Sequence, residues 1–296
     1  MKKLFFLLTT LFLICSCSVN QNQSDKIKIT ATIFPQYDFS RQIAGDLADV
    51  TMLLPPGGES HTFEPTPQDI MRIEASDIFI YTGGESDSWI ENILSDINNP
   101  DLKIICLADI CGTDSDNHHI HTADEHVWTS PENAKLISKE ICNVLSEIDK
   151  ENASVYQTNF SEYEKELESV CKEFEEISKN SKRNALIFGD RFPFKHLADE
   201  YGFEYVSAFP GCSEDTEPDI KTVKSLIDKV KTDSIPVVFY TDFSNHKIAD
   251  TISKETGARL SMLRSCHTVT TDELKNGTTY IDLMKQNAKN IKEALN

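Results

Sequence analysis

Basic residues are scarce in this chain: lysine and arginine total 29 against 48 aspartates and glutamates, a formal net charge of −19. That balance excludes nucleic acid as the expected partner, because affinity for a polyphosphate rests on the lysines and arginines that neutralise it. No hydrophobic run is long enough to cross a bilayer. The most apolar segment, Leu4 to Cys15, falls short of the ~20 residues a spanning helix needs. The eight cysteines contain no Cys-x-x-Cys pair, which removes a zinc ribbon. His-Glu-x-x-His and the nucleophile elbow Gly-x-Ser-x-Gly are both missing, so two widespread hydrolase signatures are gone as well.

What is present begins with a leader. Met1-Lys2-Lys3 followed by the short apolar run reads as a secretory signal and stands outside the fold. The run ends in Ile14-Cys15-Ser16-Cys17, with a small residue before a cysteine and an aliphatic residue three positions before it, as in bacterial lipoprotein signals. Residues 1–17 are therefore expected to be a lipoprotein signal, Cys17 the lipid-bearing first residue of the mature chain, and residues 18–26 a polar tether. Such a protein sits on the outer face of the bacterial cytoplasmic membrane, or in the periplasm. Losing Lys2 and Lys3 leaves 27 basic residues against 48 acidic ones, a net charge of −21. Of the remaining cysteines, Cys106 and Cys142 lie in apolar patterns and read as core. Export permits a disulfide between Cys212 and Cys266, each in a loop, although free or metal-facing thiols explain them equally well.

Along the chain, apolar runs alternate with helix-like stretches. Ile27–Ile33, Val50–Leu54, Ile78–Tyr81 and Ile104–Leu107 are separated by helical patterns at Tyr37–Leu47, Pro67–Glu74 and Ser88–Ile97, a βαβ rhythm that implies a parallel sheet. A second series runs through Ala185–Phe188, Tyr205-Val206, Val237–Tyr240 and Leu260–Leu263, with helices near Lys195–Tyr201, Ile220–Val230 and Ile248–Thr256. Between the two, Tyr156, Phe160, Tyr163, Leu167, Val170, Phe174 and Ile177 recur at spacings of four and three, predicting one amphipathic helix from about Glu151 to Lys179. The expected class is α/β. An N-terminal lobe (27–148) and a C-terminal lobe (182–296), each a mainly parallel sheet flanked by helices, are joined by a spine helix (149–181). A two-chain coiled coil is the competing reading of that helix.

Three histidines occupy equivalent places. His61 follows the strand ending at Leu54, in a turn of glycine, proline and carboxylates. His126 precedes the helix that Ser130-Pro131-Glu132 starts, and His267 follows the strand ending at Leu263. Open α/β sheets bind their ligands at such strand-to-loop junctions. Neutral imidazole suits zinc and other borderline divalent metals, so three of them converging from two lobes would close a metal site at the lobe interface. A separate polar tract holds His118, His119 and His121 and reads as an auxiliary metal-collecting loop, or as a polar loop that happens to contain histidine. His196 and His246 fall within helix-like stretches and read as structural or exposed.

Taken together, "IFPQYDFSRQIAGD", "LLPPGGESHTFEPTPQD", "YTGGESDSWI", "DEHVWTSPENA" and "YIDLMKQNAKNIKEAL" resemble the zinc/manganese substrate-binding lipoproteins of bacterial ABC importers. The resemblance implies two lobes bridged by a rigid helix, a monomer that holds Zn(II), or alternatively Mn(II), at the lobe interface, and delivery of that ion to the permease of its importer without catalysis. His61 and His126 match the first two family ligands. The C-terminal lobe departs from the pattern, with Gly189 where a ligand commonly stands and Cys266-His267 near a usual Asp-Pro. The third imidazole is then expected at His267 and the fourth ligand at Asp190, with Glu59, Asp242 or water as substitutes. The rival class is a zinc hydrolase using the same histidines with Glu59 as base.

Overall fold

The computed structural model describes residues 26–112, 124–209 and 219–296. In the first lobe, β1 (Ile27–Ala31), α1 (Phe34–Ala44), β2 (Ala48–Met52), α2 (Pro67–Glu74), β3 (Ile78–Tyr81), α3 (Ser88–Leu94), β4 (Lys103–Cys106) and the single turn α4 (Leu107–Ile110) precede α5 (Pro131–Ile148). The long α6 (Ala153–Asn180) leads to β5 (Ala185–Phe188), α7 (Lys195–Tyr201), β6 (Glu204–Ser207), α8 (Ile220–Thr232), β7 (Val237–Thr241), α9 (Lys247–Thr256), β8 (Arg259–Leu263), α10 (Thr271–Lys275) and α11 (Tyr280–Leu295). The first sheet has the order β2-β1-β3-β4 and the second β6-β5-β7-β8, every described pairing being parallel. Both strand orders reverse direction beside the first strand of their lobe, and so open a crevice at the C-terminal strand ends.

Element boundaries shift from the sequence pattern for local reasons. The ladder of β1 gives way before Ile33, whose N–H donates to Gln36 Oε1 at 3.0 Å, and α1 starts at once with Pro35 in its first turn. β2 is centred earlier than its apolar run, yet Leu53 and Leu54 still donate to Ala31 O and Thr32 O at 2.9 and 3.0 Å. Cys142 is buried as expected, whereas Cys106 is half-buried at the end of β4, with Sγ 3.6 Å from Thr82 O.

At ~1.5 Å per residue α6 is about 42 Å long. Its buried face is Tyr156, Tyr163, Leu167, Val170, Cys171, Phe174 and Ile177, and it packs on α1, α5, α7 and α11 within the same chain. That intramolecular burial answers the coiled-coil alternative. One apolar cluster runs from Ile29 and Phe39 in the first lobe through α6 to Phe188, Leu263 and Met284 in the second. Polar ties cross the same seam: Trp128 Nε1 donates to Ser265 O at 2.9 Å, Tyr280 Oη to Trp128 O at 2.6 Å, and the Tyr280 N–H to Asp38 Oδ2 at 2.7 Å. Among the described residues no helix is long and apolar enough to cross a membrane.

Candidate metal centre

His61 sits in a single 3-10 turn, Ser60–Thr62, that follows β2, and its N–H donates to Glu59 Oε1 at 3.3 Å. Its Nδ1 lies 2.9 Å from Ser86 Oγ and 3.3 Å from Glu125 Oε1. The Ser86 hydroxyl donates its only proton to Glu125 Oε1, so Ser86 Oγ accepts from His61 Nδ1–H. The tautomer is thereby fixed, with the basic lone pair on Nε2. Glu125 also accepts from the Ser86 N–H at 2.9 Å, and a Cβ at Gly84 would meet Glu125 Oε2 at 2.5 Å, so glycine is needed there for the carboxylate to fit.

His126 lies just before a 3-10 turn (Val127–Thr129), and Ser130 caps α5 by accepting the Asn133 N–H at 3.0 Å. Asp124 Oδ1 accepts from both the His126 N–H at 2.9 Å and Nδ1 at 2.8 Å. Burial alone would raise the Asp124 carboxyl, but its bonds to His126 outweigh this and hold its pKa below the ordinary value. The His126 ring packs 5.2 Å from Trp128 and 5.8 Å from His61, centroid to centroid.

His267 follows β8, and its own carbonyl accepts the Phe34 N–H at 3.1 Å, tying this loop to the start of α1. Ser265 Oγ is 2.5 Å from His267 Nδ1 and donates to Asp242 Oδ1 at 2.9 Å. The logic of His61 recurs: serine spends its proton on a carboxylate and accepts from Nδ1–H, leaving Nε2 basic. His267 Nε2 is sealed from solvent and has no hydrogen-bond partner. Burial lowers the His267 pKa against the opposing pull of Asp242 and Glu59, which favours the neutral ligating form.

All three histidines, with Glu59, Asp190 and Asp242, line one open cleft of about 230 Å³ between the lobes. Among the described residues, His61, Glu125 and His126 have donor atoms within 4.8 Å of one another, and His267 lies in the same cleft outside that group. Glu125 approaches the Nδ1 side of His61 through Ser86, so it orients the ring and stands away from a metal on Nε2. Asp242 is likewise committed: Oδ1 accepts from the Ser265 N–H and hydroxyl, and Oδ2 from Arg264 Nε at 3.0 Å. Asp190 is anchored at the end of β5, with Oδ2 accepting from the Thr241 N–H and hydroxyl at 3.0 and 2.8 Å and Oδ1 from the Arg191 N–H at 2.9 Å. Each of its oxygens retains a lone-pair direction. At Gly189 a Cβ would meet Ala249 Cα at 2.4 Å, so α9 occupies the space a ligating side chain would need.

Several expectations are corrected or fall outside the described residues. Cys266 is a free thiol buried in the core, with Sγ 3.4 Å from Arg264 O and 3.9 Å from Met284 Sδ, so its position gives no support to the expected bridge with Cys212. Cys17, Cys212, His118, His119 and His121 lie outside the described residues. His246 is not inside a helix: it caps α9 at φ 41° and lines the cleft. His196 Nε2 pairs with Asp124 O at 2.7 Å, a structural role. The sequence reading missed Ser86, Asp124, Glu125 and Ser265. A signal existed, because Glu59, Asp124 and Ser265 each stand two residues before a cleft histidine.

The model of a family described as zinc-uptake complex component A, periplasmic (ZnuA), matches residues 29–294. The high-affinity zinc uptake system protein ZnuA of Bacillus subtilis (strain 168) is 28% identical over 313 residues, covering 99% of this chain and 97% of that protein. The zinc-binding lipoprotein AdcA of Streptococcus pneumoniae (strain ATCC BAA-255 / R6) is 30% identical over 308 residues, which span 99% of this chain and 61% of that protein. The crystal structure of the Zn(II)-bound ZnuA-like domain of Streptococcus pneumoniae AdcA superimposes with a TM-score of 0.77 at 28% identity, covering 91% of this chain and 99% of that one.

Proposed function

The chain belongs to the periplasmic zinc-uptake component A family, and from that premise we propose that it is the extracytoplasmic component of an ABC importer, capturing Zn(II) in the interlobe cleft and presenting it to a membrane permease. The observation that carries this reading is the treatment of the three histidines. Each Nδ1 is held by an oxygen acceptor, and the two rings on serine relays keep their basic nitrogen for the cleft. Rings fixed in this way bind a metal without first losing rotational freedom. His61, His126 and His267 supply the imidazoles, and Asp190 supplies the carboxylate through its remaining lone pairs, with Glu59 as its substitute. Three imidazoles favour Zn(II) over Mn(II), which lies at the weak end of the divalent series and prefers oxygen-rich sites. The mature protein acts as a monomer held to the membrane by lipid on Cys17.

A hydrolase would need a carboxylate base turned toward an open metal position. Glu125 is turned onto Ser86 and Glu59 onto its own loop, which argues for binding over turnover. Equilibrium zinc titration against a competing chelator tests the proposal. Replacing His61, His126 or His267 singly by Ala weakens binding at least tenfold, with manganese failing to displace zinc at equal concentration. Unchanged affinity in His267→Ala, or turnover of ester, peptide or phosphate substrates by the zinc-loaded protein, would overturn it.

A further inference from the structure

Away from the cleft residues, three helices from three parts of the chain meet at Glu132, in the first turn of α5, Cys171, midway along α6, and Glu200, in the last turn of α7. Their donor atoms all lie within 4.8 Å of one another, and none of the three lines the cleft. Zinc–sulfur and zinc–oxygen bonds of about 2.3 and 2.0–2.2 Å leave tetrahedral ligands roughly 3.3–3.8 Å apart, so side-chain rotation by about an ångström closes such a set.

The surroundings show an unmet need. Cys171 is 4% exposed and Tyr201 is 8% exposed. The Tyr201 hydroxyl, beside Glu200 and Cys171, is sealed from solvent without a hydrogen-bond partner, and Glu200 Oε1 is in the same condition. Two orphaned buried oxygens and a buried thiol facing one point are costly unless something joins them. Ser130 Oγ, which donates to Glu200 Oε2, holds that carboxylate by its other oxygen and leaves Oε1 for the missing partner. Lys135 Nζ, 2.7 Å from Glu132 Oε2, supplies one positive charge. Two carboxylates and a thiolate against Lys135 leave a deficit that a divalent cation cancels.

We propose that Glu132, Cys171 and Glu200 form a second metal site, bridging α5, α6 and α7, for a borderline or soft divalent cation of the zinc and cadmium class. The site assembles only where α7 of the second lobe meets α5 of the first, so its metal braces the two lobes against the spine. Sulfur with carboxylate oxygen selects this class over magnesium, calcium or manganese. Burial pushes the Cys171 thiol up to about 12 and raises the Glu200 carboxyl, so loading breaks the S–H bond, forms the sulfur–metal bond and releases the proton to solvent. Tyr201 then has the metal-bound carboxylate or thiolate as acceptor.

The test is titration of the mature chain with Cd(II), read by the ultraviolet thiolate-to-cadmium charge-transfer band. The band is expected to saturate at one cadmium per chain and to persist when His61 and His126 are changed to Ala. It should vanish in Cys171→Ser, and its titration should weaken at least tenfold in Glu200→Gln. Retained zinc binding at the cleft reports that Cys171→Ser is folded. If that variant does not fold, Glu132→Gln, at an exposed position, takes its place with the same tenfold expectation. A parent protein without the band, a band surviving Cys171→Ser, or unchanged affinity in the carboxylate variant overturns the proposal.

Discussion

Replacing Ser265 by Ala removes one oxygen and breaks a relay on which the second lobe's imidazole depends. Ser265 Oγ lies 2.5 Å from His267 Nδ1 and 2.9 Å from Asp242 Oδ1, so the variant leaves the ring N–H without its acceptor. The neutral ring can then exchange tautomers or turn, and part of its population no longer directs a basic Nε2 at the metal. Loss of such an orienting partner typically costs tenfold to a hundredfold in metal affinity, about 1.4 to 2.7 kcal/mol. Zinc affinity is measured by chelator competition, with the melting temperature of the metal-free variant as the control for folding. A double-mutant cycle isolates the cause: if Ser265 acts through the ring, Ser265→Ala costs nothing further in a His267→Ala background. Undiminished affinity in the single variant, or additive losses in the double, would refute the relay.

Asp190→Asn should weaken zinc binding while leaving the metal-free fold cooperative; a zinc-bound structure with Asp190 still turned wholly onto Thr241 would reject it as a ligand. Zinc affinity should fall with acid, because ligating imidazole must be neutral. The share carried by His267 should be intact above the ordinary histidine value of about 6.5 and lost as pH falls through its depressed pKa, as titrations at stepped pH will read. Changing His118, His119 and His121 to Ala should lower total zinc bound and leave the tightest site nearly unchanged, which stoichiometry by metal analysis resolves. Gly189→Ala drives a methyl against the α9 backbone at 2.4 Å and should cost ~1–3 kcal/mol, visible as a drop of several degrees in the melting temperature.

The parallel sheets were legible because buried strands are continuous apolar runs, and the spine because seven apolar residues keep one phase over its length. His61, His126 and His267 were legible from their place at strand-to-loop junctions. The supporting oxygens were less so. Ser86 reaches His61 from another loop, and only folding reveals that it stands between the ring and Glu125. The role of Asp242 was ambiguous for the same reason, since a carboxylate beside a metal ligand reads alike whether it binds the ion or orients the ring. Gly189 showed that a ligand was missing; that α9 fills its place is a fact of packing between elements some sixty residues apart in sequence, which no local pattern encodes.

Packing also decides where the molecule can yield. The apolar cluster that runs through α6 from one lobe to the other, with Phe34, Trp128 and Tyr280 bonded across the seam, makes hinge opening a matter of parting a close-packed core. The Gly57 N–H on Thr268 Oγ1 at 3.0 Å ties the loop of His61 directly to the loop of His267. The segment between β7 and α9 is different. Phe243 holds φ at 62° and His246 at 41°, conformations that L residues rarely adopt, and Phe243 is 46% exposed with its ring edge toward His267 at 6.3 Å. A strained loop with few buried contacts opens at lower free energy than a core does. Compliance at this cleft therefore belongs to the loop beside His267, while His61 and His126 stay fixed on the rigid side. The lobe that lacks the usual ligand at Gly189 is also the one whose ligand lies beside the movable part.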